Sequence, residues 1–210
     1  FDCDGVLLDS NIIKTNAFLE FASQYGDEVA DRFVEYHRSN GGLSRYEKIR
    51  YLHKSILKKP ISENIIIQEA DRFGRLVING LMGAKIASDI DQLKSLTPHA
   101  EWSVVSGSDE KELHKVFKSN GLDSYFGERV FGSPRTKIEI IQQGSSEGYF
   151  SGKTLFIGDS KYDYEVSQFF SFDFLHLSAW AEWKPNLPKN DFKSFRDISE
   201  LCYSQNSQSL

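Results

Sequence analysis

The chain opens on FDCDGVLLDS, and this stretch constrains the fold more than any other. Phe1 has the character of a buried strand residue. Asp2 and Asp4 follow two positions apart, which on extended backbone puts both carboxylates on one face. Gly5 then lets the chain leave the strand sharply. Two acids held this close repel unless a cation or a shared proton stands between them. Taken by itself, the Asp-Gly pair also reads as an ordinary turn at a strand end. A strand of ordinary length, about 5–6 residues, would extend ahead of Phe1.

After Ser10 the pattern becomes helical. Ile13, Ala17, Phe21 and Tyr25 form an i, i+4 stripe over 11–25, and Val29, Phe33 and Tyr36 share one side of 27–38. SNGGLS at 39–44 is a loop by composition. Ser44-Arg45-Tyr46-Glu47 has the form of a capping box ahead of Ile49, Leu52 and Ile56, and Lys59-Pro60 closes that helix. A further helix is expected over about 62–79, ended by Gly80 and Gly83.

From about 84 the chain alternates. Helix 86–96, strand 101–106, helix 109–119, a short strand near 129–132, helix 136–143, strand 154–158, helix 161–170 and strand 173–177 follow in turn, with a helical tail at 195–203. The Ser/Gln-rich last seven residues are expected to be disordered. Such alternation argues for a parallel sheet covered on both faces, a doubly wound α/β core, with ligands at the carboxyl ends of the strands. The expected domains are a core of 1–10 and 83–210, and an α-helical cap of 11–82 inserted after the first strand.

The chemistry-bearing residues fall at those strand ends. Ser106 and Gly107 end the apolar run EWSVVS, where a hydroxyl and nearby amides at a helix N-terminus cradle phosphate; alternatively, Ser106 or Ser108 caps the helix that follows. Lys137 in GSPRTKIEII supplies a cation of the kind a transferring phosphoryl group needs, with Arg135 as a competitor. GDSKYDYE at 158–165 follows the buried run LFI and places Asp159 at a strand end, with Asp163 one turn on. Asp2, Asp4, Asp159 and Asp163 at neighbouring strand ends make an acidic excess that a hard divalent cation such as Mg²⁺ would balance. GKT at 152–154 lacks the first glycine of a P-loop and precedes a strand, so it does not read as a nucleotide site.

DxDGVLxDS, together with three further motifs in the same order along the whole chain, resembles the haloacid dehalogenase-like (HAD) hydrolases, in particular the phosphoglycolate phosphatase and β-phosphoglucomutase branch. The resemblance implies that Asp2 is a nucleophile that forms an aspartyl-phosphate and that Asp4 is the general acid/base. It implies Mg²⁺ held by Asp2, Asp159 and the Asp4 carbonyl, with Asp163 supporting them. An Asp at the second place also argues for phosphoryl transfer over C–halogen cleavage. The departures are Gly107, where the family often has Asn, and the spacing around Lys137. GGLSRYEK at 41–48 resembles the branch's cap loop. Its match puts Arg45, with Lys48 one turn on, against the far end of a substrate.

The expected function is therefore Mg²⁺-dependent hydrolysis of small phosphate monoesters, the substrate being a small phosphorylated metabolite. Alternatives are a phosphosugar mutase, although this chain has Lys14 where the mutases of the branch carry His, and a non-catalytic phosphate- or metal-binding module or receiver-like domain. A net charge of −5 gives no electrostatic case for nucleic acid or an anionic membrane. No apolar run approaches the ~18 residues of a membrane span. Cys3 and Cys202, the only cysteines, are expected as reduced thiols in a cytoplasmic protein.

Overall fold

The computed structural model describes residues 1–150, 152–186 and 191–206. Two parallel sheets form its centre. One pairs β1 (Val104–Asp109) with β2 (Val130–Ser133); the other has the order β3 (Leu155–Gly158), β4 (Asp173–Leu177), β5 (Lys193–Phe195). The first two residues join them. Phe1 donates its amino group to Ser103 O at 2.8 Å and accepts from Val105 N at 2.9 Å, while Asp2 N donates to Ile157 O at 2.8 Å. Phe1 and Asp2 thus occupy the strand position between β1 and β3, and the motif loops after β1 and β3 flank Asp2. The strand ladder ends at once, because Cys3 to Leu8 form a turn. In it Gly5, at φ +74°, leaves no room for a side chain: a Cβ there would lie 2.0 Å from Asp159 Oδ2.

The helical insert leaves and returns through one narrow ribbon. Asp9 N donates to Lys85 O at 2.9 Å and Ala87 N to Leu7 O at 2.9 Å. Between these strands of the ribbon lie α1 (Asn11–Ser23), α2 (Asp27–Ser39), α3 (Arg45–Tyr51) with a π-helical turn at Leu52–Ile56, and α4 (Glu63–Met82). Phe18, Phe21, Phe33 and Phe73 pack among them, with Phe18 stacked on Phe73 at 4.1 Å between centroids. The core helices are α5 (Ile90–Leu96), α6 (Glu110–Asn120), α7 (Asp123–Phe126), α8 (Lys137–Ser146), α9 (Lys161–Phe169) and α10 (Ile198–Asn206). This is the doubly wound α/β core with an inserted helical cap.

Several local expectations need correction. Ile86 is not helical: it bridges Leu8 in the ribbon, so α5 begins only at Ile90. Gly80 does not end α4 but lies inside it, where its missing side chain admits Ile13; a Cβ would stand 2.6 Å from Ile13 Cγ2. Ser44 caps α3 by accepting from Glu47 N, but the reciprocal half of a capping box is not formed, because Glu47 turns to Arg50. The strand expected at 101–106 lies three residues later, since the ladder with β2 is irregular between Val105 and Asp109 and carries on through Ser106–Ser108. The edge strand β5 was not foreseen; it is three residues long and carries no apolar alternation. Of the tail expected to be disordered, 204–206 belong to α10, and 207–210 lie outside the described residues.

Candidate active site

Three carboxylates meet at the carboxyl ends of the central strands. One oxygen from each of Asp2, Asp159 and Asp163 lies within 4.8 Å of the others, and all three side chains are buried. Asp2 comes from the joining segment, Asp159 from the end of β3, and Asp163 from the first turn of α9. Ser160 caps α9 in a full capping box: its Oγ accepts from Asp163 N, and Asp163 Oδ2 accepts from Ser160 N and Oγ at 3.1 and 2.6 Å. The tight approach depends on Gly158, where a Cβ would meet Asp163 Cβ at 2.5 Å.

Lys137 supplies the positive charge. Thr136 caps α8 in a second capping box with Glu139, and this sets Lys137 as the first helical residue, aimed inward. Its ammonium pairs with Asp163 Oδ1 and stands 2.9 Å from Asp2 Oδ1. Arg135, the competitor by sequence, is half-buried on the surface and bonds Glu110 and Gln143 instead.

One cation among three buried acids leaves negative charge in excess. Burial, followed by the charge of Asp163, pushes the Asp2 carboxyl up to about 7. Burial, followed by Asp2, holds Asp159 well above the usual carboxylate range. Lys137 is held above its ordinary value: burial opposes this, but Asp163 and Asp2 outweigh it.

Asp4 belongs to a separate network. Its carboxylate lies outside the three-acid cluster and accepts from Ser10 Oγ at 2.5 Å, from Ser108 Oγ at 2.7 Å and from the Lys14 ammonium. Burial works to raise its pKa, but Lys14 and these hydroxyls prevail and hold it below the carboxylate range. Ser106 is fully buried, and its Oγ accepts from Ser108 N at 3.1 Å. Neither serine caps α6; Asp109 does, by accepting from Lys111 N and Glu112 N.

The cap closes the site from above. Gly107 lies beneath the Gly42–Leu43 backbone so closely that a Cβ would stand 2.3 Å from Gly42 O. Gly42, at φ +82°, sits over Ser160, whose Oγ would be 2.6 Å from a Cβ there. A cavity of about 200 Å³ remains, with Asp2, Asp4 and Asp159 on its floor and Phe18, His37, Arg45, Lys48 and Phe73 on its cap side. Arg45 and Lys48, in the first turn of α3, are both buried. The Arg45 guanidinium pairs two-pronged with Glu112 of the core and lies over Phe73 at 4.8 Å. Lys48 bonds His37 Nδ1 at 2.8 Å.

Sequence reasoning missed Asn11, which donates to Asp159 Oδ2 and Trp180 O, both at 2.8 Å, and Ser108, His37 and Glu182. Only Asn11 and Ser108 carried a signal, in their adjacency to motifs already singled out.

The oxygen-rich floor suits a hard divalent cation. Among the described residues Asp2 Oδ1 is buried with no hydrogen-bond donor in proper geometry, and Asp159 is hydrogen-bonded through one side-chain oxygen only. Both oxygens of Asp163 are occupied by Lys137 and Ser160.

A family model for haloacid dehalogenase-like hydrolases matches residues 1–176. The chain belongs to that family. Among solved structures it resembles a hydrolase from Pseudomonas syringae, with a TM-score of 0.76 at 14% identity, covering 99% of this chain and 96% of that one. A β-phosphoglucomutase from Clostridium difficile gives 0.75 at 14% identity, covering 99% and 94%. A predicted phosphoglycolate phosphatase from Haemophilus somnus gives 0.67 at 17% identity, covering 98% and 96%. Among curated proteins none matches the chain significantly.

Proposed function

We propose that this HAD-family hydrolase is a Mg²⁺-dependent phosphatase of small phosphate monoesters. The observation that carries this reading is the convergence of Asp2, Asp159, Asp163 and Lys137 in one buried cluster, of which Asp2 and Asp159 reach the floor of the cavity. Asp2 is the nucleophile: its carboxylate attacks phosphorus, the ester oxygen leaves, and an aspartyl-phosphate forms. Asp2 and Asp159 would hold the metal, with the Asp4 carbonyl as a third oxygen, while Asp163 fixes Lys137 and the α9 turn rather than offering a free oxygen. When bound, the cation offsets the acidic excess and the charge on the phosphoryl oxygens.

Lys137 is the fixed cation for the transferring group. Ser106 and Gly107 form the phosphate cradle. Asp4 exchanges the proton, with the leaving oxygen in the first half, once the charge of the bound phosphate ester raises its pKa from that of its ionised resting state, and with water in the second. The closed cap limits the access of bulk water to the cavity, and Arg45 and Lys48 form the wall that meets the rest of the substrate. A cavity of about 200 Å³ lies below the ~300 Å³ at which ordinary ligand clefts begin, which suits a short metabolite.

Purified protein with Mg²⁺ should release inorganic phosphate from p-nitrophenyl phosphate, and acid-quenched samples should show one phosphoryl group on Asp2 by mass spectrometry. Chelation should stop turnover and lower the melting temperature, and Mg²⁺ should restore both. Undiminished turnover after exhaustive chelation would rule out the metal-dependent mechanism.

A further inference from the structure

Four cations of the cap line the cavity: Lys14, Arg38, Arg45 and Lys48. Three face a carboxylate. Lys14 is on Asp4, Arg38 lies 3.8 Å from Glu182, and Arg45 is on Glu112. Lys48 is among the most buried of them, at 3% exposure, yet its one hydrogen-bond partner among the described residues is an imidazole. A buried ammonium without a counter-ion is costly, and structures retain few of them.

The chain of hydrogen bonds behind Lys48 has a fixed direction. The Glu182 carboxylate can only accept, so the Thr15 hydroxyl donates to its Oε1 at 3.1 Å. Thr15 Oγ1, 3.0 Å from His37 Nε2, therefore accepts from that nitrogen. His37 Nδ1 is then the bare nitrogen, and it accepts from Lys48 Nζ at 2.8 Å. The imidazole cannot share the charge, because burial and then Lys48 itself push its pKa down to about 2. Lys48 thus spends one N–H on His37, while Phe18 lies 5.3 Å from its nitrogen. Glu182 belongs to the core, whereas Thr15, His37 and Lys48 belong to the cap, so the chain is assembled only when the cap is closed.

We infer that Lys48, aimed by His37, Thr15 and Glu182, is the subsite for a second anionic group on the substrate, a carboxylate or a further phosphate, joined to the phosphate ester by a short linker. This rests on the phosphatase reading above. Arg45 shapes the wall, since its charge is already matched by Glu112. Burial, then the neighbouring Lys14, lowers the Lys48 pKa to about 7, which is the state of an ammonium that lacks an anion; Asp4 and Glu182 oppose this and Lys137 adds to it.

The test compares three probes of similar length: 2-phosphoglycolate, ethylene glycol bisphosphate and the neutral 2-hydroxyethyl phosphate. Wild-type protein with Mg²⁺ should prefer an anionic probe in kcat/KM, and the two anionic probes tell carboxylate from phosphate. Lys48→Met should reduce that preference by about ten- to a hundredfold, the loss of one charged hydrogen bond, and Lys48→Arg should restore part of it. Lys48→Gln, which keeps a donor without the charge, serves if the Met variant does not fold. The same preference should appear in calorimetry of probe binding to Asp2→Asn protein and vanish when Lys48→Met is added. Turnover without an anionic preference, or a preference that survives Lys48→Met and Lys48→Gln, overturns the subsite and leaves the phosphatase reading intact. A Lys48-dependent binding preference in a protein that turns over none of the probes overturns the phosphatase reading and leaves the subsite.

Discussion

The floor and the cap wall of the cavity both bury charge, but they balance it in opposite ways. The floor gathers three acids around one cation, so it is left negative, and the pKa of Asp2 rises to about 7. The wall pairs most of its cations with distant acids, Arg45 with Glu112 and Arg38 with Glu182, and leaves Lys48 over. A floor with excess negative charge is suited to a metal and a wall with an unpaired cation is suited to an anion. The difference teaches that one cavity sets two separate electrostatic imbalances of opposite sign against each other, a negative one below and a positive one on the cap side.

The largest effect should come from removing the proposed nucleophile. Asp2→Asn keeps size and shape but cannot accept the phosphoryl group, so kcat should fall by about 10⁴-fold or more, with the melting temperature kept or raised because an acidic repulsion is lost. Full activity in this variant would make the floor a structural cluster and nothing more.

Lys137→Met separates the two regions by stability. Asp2 and Asp163 would keep their burial and lose their shared cation, a change worth about 3–5 kcal/mol by urea unfolding. Mg²⁺ should return part of it. Arg45→Met strands only Glu112, whose side chain is 15% exposed, and should cost less, about 1–3 kcal/mol. Equal losses would mean that the floor is no more charge-dependent than the wall.

Gly107→Ala belongs to the floor but acts on the wall. The new methyl would meet the Gly42 backbone at 2.3 Å, and a backbone atom cannot rotate away. The cap loop must shift, at about 1–3 kcal/mol. KM should rise more than kcat falls, because the displaced loop carries the wall that meets the substrate.

How far each region was legible follows from the same contrast. The floor residues stand in short contiguous motifs at strand ends, where Asp2, Asp159, Asp163 and Lys137 have no reason of packing to be. Periodicity placed the strands before them closely enough to align these residues. The wall was legible only at Arg45 and Lys48, through the cap-loop resemblance, and their partners were not. Glu112 reads as a helix-surface acid and Glu182 as a loop acid; only the tertiary fold sets them against Arg45 and Thr15. The shift of β1 to Val104–Asp109 was hidden for a related reason: the irregular ladder lets Ser106–Ser108 continue as strand where composition suggests a turn.

The smallest effect concerns the imidazole behind Lys48, and it is read from acid stability. His37 is buried between Thr15 and Lys48, and burial, then Lys48, holds its folded pKa near 2 against 6.5 when unfolded. Above pH 6.5 neither state binds the proton, and the histidine contributes no slope. Below it the unfolded chain takes up a proton that the folded one refuses, so stability falls with pH by up to about 1.4 kcal/mol per unit. Between pH 6.5 and 5.5 the loss should be about 1 kcal/mol in urea unfolding, in protein free of added metal. His37→Gln, which keeps an acceptor toward Lys48 and a donor toward Thr15, should flatten that segment of the profile relative to wild type. The carboxylates of the floor also titrate on acidification, but they are the same in both proteins and cancel in the difference. An unchanged slope in His37→Gln would show that the imidazole is protonated in the folded protein. Lys48 would then face a cation instead of an acceptor, and the wall would balance its charge by another route.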